Sequence, residues 1–325
     1  MDGTPWQLGS THGNVAAAGQ TQPPGTTTGS RPAYLPEPGN APVGVTHEHL
    51  MSAEKLLAEF HDIAPPSARC PDGLPPLRGV ELEAMKQVPG CTPTRNKLRR
   101  YTPAELEACR EYITDLLQKG WISPAQTEFG SPVLFVEKPT GGLRVVIDGR
   151  ARNRCTLPMD GVVPTVPELL DKLQGKTIFT TIDLIQGYNQ IRLLPSDVPH
   201  TGMTTPLGTY VWNVLPMGAR NASFVYQATL ERILAPMIKA GKVHIYQDDA
   251  ILCSSDPDQH LADLKELFSI LRRYKLFINI KKLRMFQASV KWLGFVVSAD
   301  GLRMDPDKVS TITNWPQPAW QVKEA

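Results

Sequence analysis

Apolar residues along this chain recur with two different periods, and the change of period marks out its elements. Between Thr102 and Gly120, the residues Leu106, Cys109, Ile113, Leu116 and Leu117 follow helical spacing. Thr102 and Glu105 are placed to cap that helix, Pro103 presets its first turn, and Gly120 ends it. The pattern then turns β-like. Val133-Leu134-Phe135-Val136 and Leu143-Arg144-Val145-Val146-Ile147 flank Pro139-Thr140-Gly141-Gly142, which predicts a hairpin over Ser131 to Ile147. Thr165 and Glu168 open a short helix that stops at Gly175, and a strand over Thr177 to Leu184 follows directly. Ser223 to Leu234 reads as helix, and Val243 to Cys253 as strand, tight turn, strand with Asp248 and Asp249 in the turn. Asp256-Pro257 begins a helix whose inner face carries Leu261, Leu264, Leu267, Phe268 and Leu271. The runs Phe277 to Ile280 and Trp292 to Val297 are strand candidates. A hairpin, helices and an antiparallel core around the Asp-Asp turn predict an α+β architecture.

The N-terminal part reads differently. Residues 1–45 are rich in Gly, Pro and Thr with no apolar period, so a disordered lead is expected. An amphipathic stretch, Glu48 to His61 with Met51, Leu56, Leu57 and Phe60, and a Pro-rich passage through Leu77 suggest a partly ordered extension over residues 46–98, with globular order from near Leu98.

Composition narrows the class. With 41% hydrophobic and 20% charged residues, and no apolar run long enough to span a bilayer, the chain is expected to be soluble and to have no membrane partner. No secretory signal opens it, so an intracellular, cytoplasmic location is expected. Its five cysteines (Cys70, Cys91, Cys109, Cys155, Cys253) are odd in number and scattered, which reads as reduced, packed thiols. A net charge of +2 leaves a polyanionic partner open, because local stripes matter more than totals. Three basic clusters occur: Arg95, Lys97, Arg99 and Arg100; Arg150, Arg152 and Arg154; and Arg272, Arg273, Lys275, Lys281, Lys282 and Arg284. Each by itself reads as a solvated face.

Chemistry enters with three carboxylates. Asp183 ends the apolar run Ile178-Phe179-Thr180-Thr181-Ile182, where an unpaired charge is unfavourable, and Asp248-Asp249 sit between two apolar segments. Gathered at one sheet edge, they would need cations. Mg²⁺ prefers oxygen ligands completed by substrate phosphates, and two such ions about 3.5–4 Å apart suit nucleotidyl transfer.

The order of the motifs then carries a resemblance. Tyr246-Gln247-Asp248-Asp249 resembles the Tyr-x-Asp-Asp turn of reverse transcriptases, and Asp183-Leu184-Ile185-Gln186-Gly187-Tyr188-Asn189-Gln190-Ile191 resembles their Asp-Leu-x-x-Gly-Tyr-x-Gln-Ile segment. Leu215-Pro216-Met217-Gly218 lies between them, as in that family. Asn279-Ile280-Lys281-Lys282 and Trp292-Leu293-Gly294 follow and resemble that family's lysine motif and primer-gripping hairpin, and Asp305-Pro306-Asp307-Lys308-Val309 and Trp315-Pro316 closely resemble the gypsy type of LTR retrotransposon. The resemblance covers roughly Leu56 to Trp320. It implies a right-hand polymerase fold with fingers and palm over residues 99–300, an antiparallel palm sheet, and a largely missing thumb that starts in residues 301–325. It also implies an RNA- and DNA-directed DNA polymerase using two Mg²⁺, with Mn²⁺ as a substitute, a primed RNA or DNA template, dNTPs, and other parts of a Pol polyprotein as partners. Asp183, Asp248 and Asp249 would be catalytic metal ligands. Lys138, Arg144, Tyr188, Met217, Gln247 and Lys282 would meet the nucleotide, and Trp292, Leu293 and Gly294 would grip the primer. Tyr188, under the sugar, would exclude a 2′-hydroxyl.

The pattern departs from the family at a few places. Gln247 stands where an aliphatic residue is usual, Ser223 where Pro is common, and Leu283 where Cys is common. Asp148-Gly149-Arg150-Ala151-Arg152-Asn153 replaces Asp-Tyr-Arg-Ala-Leu-Asn. Two other readings are a catalytically silent relic that only binds nucleic acid, and an unrelated metal-dependent nuclease or phosphatase, for which only His244 lies near enough in sequence to serve as a base.

Overall fold

The amphipathic stretch after Thr46 closes into α1 (His47–Glu59), whose Leu50, Ala53, Leu56 and Leu57 are buried, while Met51 faces solvent. Phe60 meets Phe268 at 5.6 Å between ring centroids and carries the Arg272 guanidinium on its face. This computed structural model describes residues 32–37, 39–91, 99–138, 141–161 and 164–314, all within one unit. Arg95, Lys97, Leu98, Pro139-Thr140 and Trp315-Pro316 lie outside the described residues, as do residues 1–31.

Ordered packing therefore begins well before Leu98, and part of the expected disordered lead belongs to the core. Leu35 is 6% exposed, Tyr34 and Val45 pack against the same cluster, and the Tyr34 carbonyl accepts the Met285 N–H at 2.7 Å. The sequence hid this because the segment buries isolated side chains from turns, without any period. Deleting residues 1–45 is expected to destabilise the fold by about 2–4 kcal/mol, the scale of exposing one or two large apolar side chains. Thermal unfolding of the full and shortened chains measures it.

In chain order there follow α2 (Pro103–Gln118), β1 (Ile122–Pro124), β2 (Ser131–Glu137), β3 (Leu143–Ile147), α3 (Arg150–Cys155), α4 (Val166–Asp171), β4 (Ile178–Ile182), β5 (Met203–Thr205) and β6 (Gly208–Trp212). Then come α5 (Ala222–Ile233), α6 (Ala235–Lys239), β7 (Val243–Tyr246), β8 (Asp249–Ser254), α7 (Pro257–Arg273), β9 (Arg284–Gln287), β10 (Ser289–Trp292), β11 (Phe295–Ser298), β12 (Gly301–Met304) and α8 (Pro306–Thr313). Both expected capping boxes form, Thr102 with Glu105 and Thr165 with Glu168.

Among the described residues three sheets form. The predicted hairpin β2-β3 joins a sheet of order β1-β6-β5-β2-β3, the Asp-Asp hairpin a sheet of order β7-β8-β4-β9, and β10-β11-β12 make the third. The architecture is α+β, with antiparallel pairing throughout the sheet that holds the carboxylates. α5 and α7 pack on that sheet through Val225, Tyr226, Leu230, Leu264, Leu267 and Phe268, all in the main core cluster.

Several expectations need correction. Phe277 to Ile280 is no strand: it makes a single bridge, Leu184 with Ile278. The strand missed nearby is β9, whose only apolar residues, Met285 and Phe286, are adjacent and both buried, so no alternation announced it. Trp292 to Val297 holds two strands around a turn at Leu293-Gly294, and residues 301–304 extend that same sheet, so a boundary at residue 300 cuts through it. Cys91 and Cys155 form a disulfide instead of two free thiols, with Cα atoms 5.4 Å apart. Backbone pairing causes the meeting: Val88 N–H donates to the Cys155 carbonyl and Leu157 N–H to the Lys86 carbonyl, which lays two segments remote in sequence side by side. The basic clusters are also less free than their sequence suggests, since Arg99 pairs with Glu105, Arg150 with Asp148 and Arg272 with Asp62, while Arg152 is buried.

Candidate active site

Strand register brings two of the three carboxylates together. β4 and β8 run antiparallel with Ile182 opposite Ala250, so Asp183, one residue on, and Asp249, one residue back, leave adjacent strands at the same sheet edge. β7 and β8 pair Tyr246 with Asp249, which leaves Gln247 and Asp248 as a two-residue turn at that edge. Gln247 takes φ +54°, a left-handed conformation that tight hairpin turns demand and that a residue with a side chain resists. The buried Gln227 of α5 holds the turn from beneath: its Oε1 accepts the Gln247 N–H at 2.6 Å and its Nε2 donates to the Ile245 carbonyl at 3.1 Å.

The run Phe277 to Ile280 acts as a support. The Asn279 N–H donates to the Asp183 carbonyl at 2.8 Å, and the turn from Asn279 to Lys282 returns a lysine to the carboxylates. Lys282 Nζ donates to Asp183 Oδ2 at 2.8 Å. Its pKa is raised by that bond, and further by Asp248 and Asp249. Asp248 and Asp249 open toward solvent on one side, yet the packed sheet behind them desolvates both and raises their pKa values, with repulsion from Asp183 adding to each.

Could these residues hold a metal? Among the described residues no three acidic, histidine or cysteine side chains stand close enough to clasp an ion as they are. The donor chemistry still fits a hard divalent cation. All three side chains offer carboxylate oxygens, they repel one another, and the cation nearest to them, Lys282, engages a single oxygen of Asp183.

A separate cleft is lined by Lys138 and Arg144 of the hairpin, Tyr112 and Asp115 of α2, Met217, and Gln186, which follows Asp183 by three residues. Met217, remote in sequence from Lys138 and Arg144, thus meets them in one place, and it is 56% exposed. Burial pushes the Tyr112 hydroxyl up to about 12, so it stays protonated at neutral pH. Tyr188 stacks on Tyr226, with ring centroids 4.9 Å apart at 24°. Gly187 has to be a glycine there, because a Cβ would come within 2.4 Å of the Tyr226 hydroxyl oxygen. Leu293 and Gly294 line a cleft with Gln247, Asp248 and Asp249, and Lys308, which lines it too, offsets a part of the rise that burial and Asp183 give the Asp249 pKa. Trp292 lines that cleft too but is only 3% exposed and belongs to the core, so the turn, with φ of +51° at Leu293 and +86° at Gly294, is the part free to meet a ligand.

Sequence reading missed Gln227, Tyr112, Gln186 and Lys308. Gln227 carried a usable signal, a polar stripe at four-residue spacing, Ser223, Gln227 and Glu231, along a mostly apolar helix. His244 is not near the carboxylates' open side: it is buried, and burial with Lys172 and Lys176 holds its pKa down to about 4. The nuclease reading thereby loses its base.

The sequence matches the family described as reverse transcriptase (RNA-dependent DNA polymerase) over residues 136–297. It is 34% identical over 260 residues to a retrovirus-related Pol polyprotein from the Drosophila melanogaster transposon opus, covering 77% of this chain and 26% of that one. It is 35% identical over 213 residues to the corresponding polyprotein from transposon gypsy of the same organism, covering 63% of this chain and 20% of that one. The Schizosaccharomyces pombe transposon Tf2-3 polyprotein is 30% identical over 81% of this chain and 20% of its own length. The chain thus spans about a quarter of the first of these relatives' length and a fifth of the second's (26% and 20%). A foamy viral protease-reverse transcriptase in complex with double-stranded DNA superposes with a TM-score of 0.74 at 22% identity, covering 86% of this chain and 48% of that one. The same kind of protein in complex with an RNA/DNA hybrid gives 0.74 at 21% identity, covering 86% and 36%. Fold and sequence agree: the chain belongs to the reverse transcriptase family, in the form found in the Pol polyproteins of LTR retrotransposons.

Proposed function

We propose that this chain adds dNTPs to a primer 3′-hydroxyl under the direction of an RNA or DNA template. The observation that carries the reading is the strand register that sets Asp183 opposite Asp249, with Asp248 in the adjoining turn. When bound there, two Mg²⁺ would supply activation of the attacking hydroxyl and charge stabilisation at the departing pyrophosphate. Asp183, Asp248 and Asp249 would hold them. Lys138 and Arg144, exposed on the hairpin side of the cleft, bind the triphosphate by charge, and Met217 forms the floor. The turn at Leu293-Gly294 bears on the primer strand next to Asp248. Lys282, already hydrogen-bonded to Asp183, stays positively charged beside the reacting phosphates. The complexes with double-stranded DNA and RNA/DNA hybrid named for the foamy viral proteins support a primed template as partner. The same reading places the activity inside the cell, with other products of a Pol polyprotein.

Tyr188 lies under the sugar in this reading and refuses a 2′-hydroxyl by its bulk. Tyr188→Val is expected to raise ribonucleotide use by about 10-fold or more relative to dNTPs, since a steric clash is worth at least as much as a lost methylene contact. Single-nucleotide incorporation with a matched rNTP and dNTP measures it, and unchanged discrimination removes Tyr188 from the role. Primer extension itself decides between an active polymerase and a silent nucleic-acid binder.

A further inference from the structure

Two departures from the family pattern, Ser223 and Gln247, converge on one atom. The Tyr188 hydroxyl oxygen stands 3.3 Å from Ser223 Oγ and 3.5 Å from Gln247 Oε1. The Gln247 amide oxygen only accepts, so the Tyr188 hydroxyl donates to it and keeps its lone pairs for the Ser223 hydroxyl. Both contacts are longer than an ordinary O–H···O bond, which makes each weak alone. Their joint effect is to select one tilt of the phenol, whose ring already rests on Tyr226. The usual residues at these positions, a proline and an aliphatic side chain, offer no such partner.

Neither partner is free to drift. Gln247 is anchored through its N–H to Gln227 Oε1 at 2.6 Å, and Ser223 lies four residues before Gln227 on α5, on the same helix face. One face of α5 thus holds both the phenol of Tyr188 and the turn that carries Asp248.

We infer that Ser223 and Gln247 are specificity-determining residues that fix the Tyr188 phenol as a rigid floor beneath the nucleotide sugar. The inference rests on the polymerase reading above. A ring that tilts freely makes room for a 2′-hydroxyl cheaply, whereas a ring tied at its hydroxyl does so only by breaking both contacts.

The test is single-nucleotide incorporation of a dNTP and its matching rNTP by the parent, Ser223→Ala, Gln247→Leu, Tyr188→Phe, and each of the first two combined with Tyr188→Phe. Ser223→Ala and Gln247→Leu are each expected to lower the dNTP-over-rNTP ratio of kcat/KM by about 2- to 10-fold, the scale of one net hydrogen bond. The change should appear mainly in the KM for the rNTP. In the Tyr188→Phe background, which keeps the ring and removes the hydroxyl, neither substitution should alter the ratio further. An unchanged ratio in the single variants, or an equal change with and without the Tyr188 hydroxyl, overturns the inference. If Tyr188→Val loses discrimination while these variants keep it, only this inference fails. A parent that incorporates no nucleotide overturns the polymerase reading, and this inference falls with it.

Discussion

Asp248→Asn is expected to cut templated dNTP incorporation by roughly 100-fold or more, the scale on which losing one electrostatic stabiliser of a transition state is felt. The substitution keeps the side chain's shape and its place in the turn after Tyr246, and removes one negative charge from the edge where Asp183 and Asp249 meet. Stability should respond with a sign that depends on metal. Asp248 has a pKa raised in the fold by burial and by Asp183 and Asp249. A carboxyl raised in this way is favoured by folding only when protonated, so at neutral pH its charge disfavours the native state. Without metal the variant should be as stable as the parent or up to about 1 kcal/mol more stable, a small gain because solvent on the open side screens the repulsion. With Mg²⁺ present the order should reverse, because an ion bound only by the native state stabilises the parent more. Thermal unfolding in EDTA and in Mg²⁺, beside incorporation assays, reads all three effects, and an ordinary surface aspartate would show none.

Arg152→Leu is expected to stabilise the protein, by about 1–4 kcal/mol, as when a buried charged group is replaced by a well-packed apolar one. Arg152 is 3% exposed, none of its three guanidinium nitrogens has a hydrogen-bond partner among the described residues, and burial pulls its pKa down to about 10. The cause of its burial lies three residues away. A Cβ at Gly149 would stand 2.6 Å from Arg152 Nη2 and 3.2 Å from the Gly218 carbonyl, so the arginine occupies space that a side chain at 149 would need. Gly149 and Arg152, which replace the usual tyrosine and leucine, are therefore two halves of one exchange. Gly149→Tyr should be strongly destabilising in the parent and much less so in the Arg152→Leu background, a coupling that denaturant unfolding of the four proteins measures. Additive effects would mean that the two positions do not share this space.

Much of the site was legible because its signals are local. The capping pairs at Thr102 and Thr165 and the alternation around Asp248 act over a few residues, and the structure places them as read. What stayed hidden depends on contacts between segments far apart in sequence. Cys91 meets Cys155 because backbone pairing brings residues 86–91 against 155–157. Leu35 joins the core from an irregular segment, and β9 forms from four residues without alternation because β4 supplies its partner. Gln227 was visible as the middle of a polar stripe on a mostly apolar helix, but its grip on Gln247 required the fold of the turn above it.

The proposed templated DNA synthesis with carboxylate-held metal stands or falls on extension of a primer on an RNA template by the purified chain, with Mg²⁺ and with EDTA. Template-matched dNTP addition is expected in Mg²⁺ and should disappear in EDTA and in Asp248→Asn. Primers left unextended in Mg²⁺ by the folded parent, or extended as well with EDTA as without it, would rule out metal-dependent polymerisation at Asp183, Asp248 and Asp249.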